Sequence, residues 1–143
     1  MNNKTNRYEE YRERTQKRYN EFPKGFAFNN EQLQEQMQKL GVTDKSELIS
    51  ISYGGFIRKT DKQAYLEMVR QINEEKNKLI ADDSDGSGFI YDMFYYELNS
   101  HEYSYTHDIS DTLDALGYTE EDIQNDKRLA NGLSKAIASI VGE

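Results

Sequence analysis

The sequence predicts an α+β protein: a mostly α-helical single domain with about five to six helices and one small β-hairpin near residues 48–59. Three observations support this prediction. Apolar residues recur at three- and four-residue spacing over most of the chain, which is the period of a helix. The exception is the alternating, β-branched run Leu48–Tyr53, which is followed by Gly54-Gly55 and a second apolar run. At 143 residues, the chain is long enough for one core and short enough for one domain.

The first segment, residues 1–22, reads as an amphipathic helix that precedes a compact domain at 23–143. Its aromatic face has a 3-4-4-3 spacing and comprises Tyr8, Tyr11, Thr15, Tyr19 and Phe22. Pro23 disfavours helix at the preceding residue and ends it. The aromatic face favours docking on the core, although it could equally pair two copies. A third reading is a basic arm that contacts nucleic acid, which the interspersed glutamates disfavour.

Further helices follow along the chain. Asn29 or Asn30 can cap a helix over Glu31–Leu40, and Gly41 is suited to end it. Thr60 opens the longest helix, which runs to about Ile80. We prefer a helix over Phe89–Asn99, because a strand would leave Asp92 on the same face as Ile90 and Phe94. This helix has an apolar face of Ile90, Met93, Phe94 and Leu98. Its outward face carries Tyr91, Asp92, Tyr95 and Asn99.

Two short capped segments and a final helix complete the chain. Asp108 can cap a helix that ends at Gly117, and Thr119 with Asp122 resembles a capping box. The final helix includes Leu129, Leu133, Ala136, Ile137 and Ile140. Gly132 is expected to weaken its middle.

The net charge of −8 arises from residues 82–126, the acidic half of the domain, which alone carry a net charge of −13. These 45 residues contain 13 Asp or Glu and no Lys or Arg, together with six of the 11 tyrosines and both histidines. Residues 1–81 carry a net charge of +3 and residues 127–143 a net charge of +2. The sequence therefore predicts an uncompensated, aromatic-rich anionic surface.

Cation binding is the first alternative use of these acids. The loop at residues 82–88 partly resembles an EF-hand, with Asp83, Asp85 and Ser87 at the first three ligand positions. In this alignment, Phe94 falls at the twelfth position, where an EF-hand requires a bidentate acid. A plain connecting loop is therefore favoured. His101 and His107 match no metal-ligand spacing. No cofactor or metal is expected.

Other classes of protein are disfavoured by what the sequence lacks. There is no cysteine, which suits a reducing cytoplasm. No apolar run approaches the length of a membrane span, and the first residues do not read as a signal peptide. No catalytic motif with a nucleophile, a phosphate-binding loop or zinc ligands occurs, so an enzyme is not expected.

The leading hypothesis is a surface that binds a partner through its acids and tyrosines. The partner would be a basic nucleic-acid-binding protein, whose site the carboxylates would occupy in place of phosphates. Solubility, a Ca²⁺-responsive module, a general interaction domain and nucleic-acid binding through the N-terminal helix are the alternatives. The candidate residues are Asp92, Glu97, Glu102, Asp108, Asp111, Asp114, Glu120, Glu121, Tyr91 and Tyr95.

Four segments resemble a known group of proteins. They are Phe22–Phe28 (FPKGFAF), Gly54–Lys59 (GGFIRK), Met93–Glu102 (MFYYELNSHE) and Thr112–Ile123 (TLDALGYTEEDI). Together they resemble a family of small uncharacterised proteins from low-GC Gram-positive bacteria, their phages and their plasmids. The resemblance implies a mobile element, where small acidic proteins often inhibit host defence, as anti-CRISPR and anti-restriction proteins do. It implies a CRISPR effector or another DNA-targeting nuclease as the partner, in a bacterial cytoplasm.

Overall fold

The computed structural model describes residues 5–143, except for the side chain of Tyr53. Within this range it contains eight α-helices and one three-stranded antiparallel sheet. The predicted α+β class, mostly helical with a small hairpin, is therefore confirmed, with more helices than expected. The first helix, α1, spans Arg7–Glu21. Residues 2–4 of the predicted helix lie outside the described range.

Internal packing divides the described chain into two compact units, residues 15–74 and residues 5–14 with 75–143. The first unit includes the sheet, in the order β1-β3-β2. Strands β2 (Leu48–Ser50) and β3 (Gly55–Arg58) form the predicted hairpin, in which Ile49 pairs with Ile57. A short strand that the sequence did not indicate, β1 (Gly25–Phe26), pairs with the other edge of β3.

Local signals define the helices of this unit. Asn29 caps α2 (Asn30–Leu40) by accepting a hydrogen bond from the backbone N–H of Gln32, and Gly41 ends it in the left-handed conformation. The helix α3 spans Lys62–Ala81. Phe22 and Tyr65 pack edge to face at 5.3 Å between ring centroids. The aromatic face of α1 therefore supplies core contacts in its second half.

The second unit is built around α4 (Phe89–Ser100), in which seven of the 12 residues are buried. Four of its side chains are fully buried: Ile90, Met93, Phe94 and Leu98. The prediction of a helix and of this apolar face is confirmed. Tyr8 of α1 packs on Phe89 with the ring centroids 5.8 Å apart, so the first half of α1 also contributes to a core.

Four further helices complete this unit: α5 (Tyr103–Thr106), α6 (Ser110–Leu116), α7 (Glu120–Asn125) and α8 (Lys127–Val141). Helix α8 packs along α4, and α5 and α6 also contact α4. Asp126 separates α7 from α8, because its side chain accepts a hydrogen bond from the N–H of Arg128 and starts a new helix. Within residues 5–143, no helix combines the length and apolar character needed to cross a bilayer.

Candidate partner-binding surface

Two of the ten candidate residues are buried, which corrects the prediction that they belong to an exposed surface. Asp92 is 3% exposed and Glu97 is 4% exposed. Asp92 accepts a hydrogen bond from the backbone N–H of Arg7 at 3.0 Å, and the Arg12 Nη1 lies 3.4 Å from the Glu97 Oε1. A buried carboxylate needs a charged or hydrogen-bonding partner, and the first helix supplies it for both. Neither group is available to an external partner in this conformation.

Glu97 belongs to a polar cluster with two tyrosines and two cations. The Arg12 guanidinium lies 5.2 Å from the ring centroid of Tyr96 and 6.0 Å from that of Tyr8. Burial, followed by the charge of Glu97, raises the pKa of Tyr8 to about 12. Burial lowers the pKa of Lys76, although Glu97 acts in the opposite direction. These groups stabilise the attachment of α1 to α4, so we assign them a structural role.

The other six candidate acids are exposed: Glu102, Asp108, Asp111, Asp114, Glu120 and Glu121. They lie within 20 consecutive residues that form α5, α6 and the start of α7. No Lys or Arg occurs between Lys78 and Lys127. Among the described residues, none of the six forms an ion pair. We refer to residues 102–121 as the acidic segment.

Some acids of residues 82–126 have a local structural partner. Asp82 pairs with Lys78 at 2.8 Å, and Asp126 pairs with Arg128 at 3.2 Å. Asp108 accepts a hydrogen bond from the N–H of Ser110, which lowers the pKa of that carboxyl. Asp122 forms the predicted capping box with Thr119. The prediction that all 13 acids are uncompensated is therefore wrong, and the anionic surface is confined mainly to the acidic segment.

The single-turn helix α5 has an unusual conformation. The residues on either side of it, Glu102 and His107, are the two non-glycine residues with positive φ in the described chain, at 56° and 55°. The left-handed conformation costs a residue with a Cβ about 1–2 kcal/mol. Between them, Tyr103 is buried, whereas Tyr105 is 84% exposed. An exposed aromatic ring therefore lies among the acids, and the sequence did not distinguish it from the other tyrosines.

The two candidate tyrosines, Tyr91 and Tyr95, are half-buried rather than fully outward. Their rings stack with centroids 5.8 Å apart and planes inclined by 23°. Tyr91 donates a hydrogen bond to Ser139 at 2.8 Å, and Tyr95 donates one to Glu143. The bond to Glu143 and burial raise the pKa of Tyr95. Both hydroxyl groups therefore have intramolecular partners on or next to α8.

In the loop that resembles an EF-hand, Asp83 binds backbone N–H groups. The Asp83 carboxylate accepts hydrogen bonds from the N–H groups of Gly86, Gly88 and Ile90, at 2.9–3.0 Å. It therefore caps the start of α4, where the unsatisfied N–H groups of a helix lie. Within residues 5–143, no group of three or more His, Cys, Asp or Glu side chains is arranged to hold a metal ion.

The fold and this surface define a small, mostly helical α+β protein with an acidic, partly aromatic segment. Residues 7–139 match the model of a family of unknown function, DUF7659, and the chain belongs to this family. No curated protein and no solved structure shows significant similarity to the chain. The family description assigns no activity, so the function has to be argued from the surface.

Proposed function

We propose that this protein is a non-enzymatic binding protein whose acidic segment occupies the basic nucleic-acid site of another protein. The observation that carries the proposal is the set of six exposed acids that have no ion-pair partner among the described residues. Charged groups on a surface are ordinarily interspersed with groups of opposite sign. A surface segment whose charges are all negative and unpaired favours association with a positively charged partner protein. It also increases the rate at which the two proteins associate.

The spacing of the acids suits a site that binds nucleic acid. Asp111 and Asp114 lie three residues apart on α6, so they share a face and are separated by about 4.5 Å along the axis. Duplex DNA carries one charge per about 1.7 Å of axis over both strands. Rows of carboxylates at helical spacing therefore approach the charge density of one DNA strand. Lys and Arg side chains that bind phosphates are suited to bind such carboxylates.

An aromatic side chain in the segment supports binding over a purely solubilising role. Tyr105 is 84% exposed, and large exposed aromatic groups are enriched at interfaces. Tyrosine supplies rigid contact area with a small loss of conformational entropy. A surface that only kept the protein soluble would have no use for this ring.

The resemblance to proteins of mobile elements extends the proposal to the identity of the partner. The protein would inhibit a CRISPR effector or another DNA-targeting nuclease of the bacterial host by DNA mimicry. Direct nucleic-acid binding by α1 is the weaker candidate. Three of its arginines already form ion pairs within the protein. The nitrogen–oxygen distances are 3.5 Å for Arg7 and Asp92, 3.4 Å for Arg12 and Glu97, and 2.6 Å for Arg14 and Glu75.

The test is a charge reversal that leaves the capping residues intact. Glu102, Asp111, Asp114 and Glu121 are each replaced by Lys in one variant. The wild type is assayed as an inhibitor of DNA cleavage by a panel of purified CRISPR effectors and restriction endonucleases. We expect inhibition that decreases with added salt and with competing duplex DNA, and we expect the variant to lose it.

The matched control reverses four exposed acids outside the acidic segment, so that the net charge changes equally. It replaces Glu10, Glu13, Glu31 and Glu35 with Lys. The control should retain inhibition, and circular dichroism should show that both variants are folded. Equal loss in both variants would mean that only net charge matters, which would contradict a site in the acidic segment.

A further inference from the structure

A small apolar groove lies beside the acidic segment, between α6, α7 and α8. Its walls are Ile109, Leu113, Ile123 and Leu133, and its rim carries Glu120 and Gln124. Leu113, Ile123 and Leu133 are each less than 10% exposed, so the walls are fixed by core packing. Ile109 is half-buried and lies at the edge of the groove.

The size of the groove limits what it can hold. Its volume is about 200 Å³. An apolar protein cavity of about 150 Å³ is sufficient to bind benzene. One large aliphatic or aromatic side chain therefore fits. Because the four wall residues are apolar, a polar group placed among them would lose its hydrogen bonds to water, so the groove favours an apolar occupant.

The surroundings of the groove determine the charge of the segment that carries this side chain. Glu120 lies on the rim, and Glu121 follows it on α7. Asp111 and Asp114 are exposed on α6, which supplies the wall residue Leu113. Among residues 5–143, no Lys or Arg lines the groove. An acidic segment that approached it would be repelled, whereas a basic one would be attracted.

We propose that this groove receives one large apolar side chain from a Lys/Arg-rich segment of the partner protein. This inference rests on the proposed function and adds the position at which the partner is held by an apolar contact. Interfaces concentrate their affinity in a few buried apolar side chains, while surrounding charges set orientation and the rate of encounter. The groove supplies the site for the buried apolar side chain, and the acidic segment supplies the surrounding charges.

The test uses two synthetic peptides that differ in one residue. Both contain three lysines on each side of a central residue, which is phenylalanine in one peptide and serine in the other. Affinities are measured by calorimetry at low salt with the full chain. We expect the phenylalanine peptide to bind at least about tenfold more tightly, because its ring is removed from water. Amide shifts in nuclear magnetic resonance spectra should concentrate at Ile109, Leu113 and Ile123.

A plugged groove provides the matched variant. Ile109→Trp should fill the groove and remove the difference in affinity between the two peptides. Leu66→Trp, at a half-exposed position far along the sequence on α3, is the control and should retain the difference. If Ile109→Trp does not fold, Gln124→Trp at the exposed rim serves instead.

The outcomes distinguish this inference from the proposed function. If neither peptide binds, the acidic segment does not attract cations and both proposals fail. If both peptides bind with equal affinity and with salt dependence, the acidic surface stands and the groove inference is overturned. Spectral shifts for the phenylalanine peptide that lie away from the groove would also overturn it.

Discussion

Replacement of Gly132 by alanine tests the packing of α8 against α4, because sequence and structure predict opposite signs. Gly132 lies in the middle of α8 (Lys127–Val141). In a helix interior, alanine is favoured over glycine by about 1 kcal/mol. From sequence alone, Gly132→Ala should therefore stabilise the protein. In the structure, Gly132 is buried, and two neighbouring groups occupy the space of a methyl group.

The contacts that a Cβ at position 132 would make determine how much Gly132→Ala changes the free energy of unfolding. A Cβ at position 132 would lie 2.6 Å from the Cγ2 of Ile90 and 2.7 Å from the carbonyl oxygen of Gly86. Ile90 is fully buried, and the Gly86 oxygen belongs to the backbone, so neither group moves easily. Overpacking of this kind costs about 1–3 kcal/mol. After subtraction of the gain in helix propensity, we expect Gly132→Ala to lower the free energy of unfolding by up to about 2 kcal/mol.

Urea denaturation followed by circular dichroism measures this change. The midpoint should decrease for Gly132→Ala at an unchanged slope. Ser134→Ala is the control, because this exposed position of α8 should gain a few tenths of a kcal/mol from propensity alone. A higher midpoint for Gly132→Ala would refute the close approach of α8 to Ile90 and Gly86.

Two further predictions concern the polar cluster at Glu97. Arg12→Met leaves that buried carboxylate without its ion-pair partner and should cost about 1–3 kcal/mol in urea titrations, whereas adding Glu97→Gln should restore part of the loss. The pKa of Tyr8, raised to about 12, makes stability fall between about pH 10 and pH 12, because only the unfolded chain loses that proton there. Tyr8→Phe should reduce this fall in melts recorded from pH 9 to pH 12, and an unchanged pH profile would contradict the assignment.

Local signals account for the parts of the fold that the sequence predicted well. Three helix ends are examples: the cap at Asn29, the left-handed Gly41, and the capping box of Thr119 with Asp122. Each is formed by hydrogen bonds within about four residues, so its formation depends little on the rest of the chain. The strand β1 is two residues long and depends on pairing with β3, more than 25 residues later. Such a non-local pairing leaves no periodic signal in Gly25–Phe26.

The acids were harder to place, because composition does not show which carboxylates find a partner. Asp92 and Glu97 appear on the outer face of α4 if that helix is considered alone. They are buried because residues 5–14, more than 75 positions away in sequence, cover them and bring Arg7 and Arg12. Charge patterning correctly predicted that Asp111 and Asp114 are exposed, because α6 is short and its buried residues are Thr112, Leu113 and Leu116.

Helix position separates acids that serve folding from acids that do not. Asp111, Glu120 and Glu121 lie in the first turns of α6 and α7, where a negative charge interacts favourably with the helix dipole. Asp114 lies near the C-terminal end of α6, where a negative charge is unfavourable by about 0.3–1 kcal/mol. Glu102 is held at a φ of 56°. Residues that violate a local rule without a structural gain are expected at functional sites.

This distinction predicts a trade-off between stability and binding. Asp114→Lys should raise the free energy of unfolding by about 0.5–1 kcal/mol, because it replaces an unfavourable charge with a favourable one at the helix end. Glu121→Lys should lower it by a similar amount. On the proposed function, both variants should also weaken inhibition of a DNA-targeting nuclease, so urea unfolding and the cleavage assay together separate the two roles. If Asp114→Lys instead destabilises the protein as Glu121→Lys does, Asp114 serves folding, and its exposure ceases to support a binding surface.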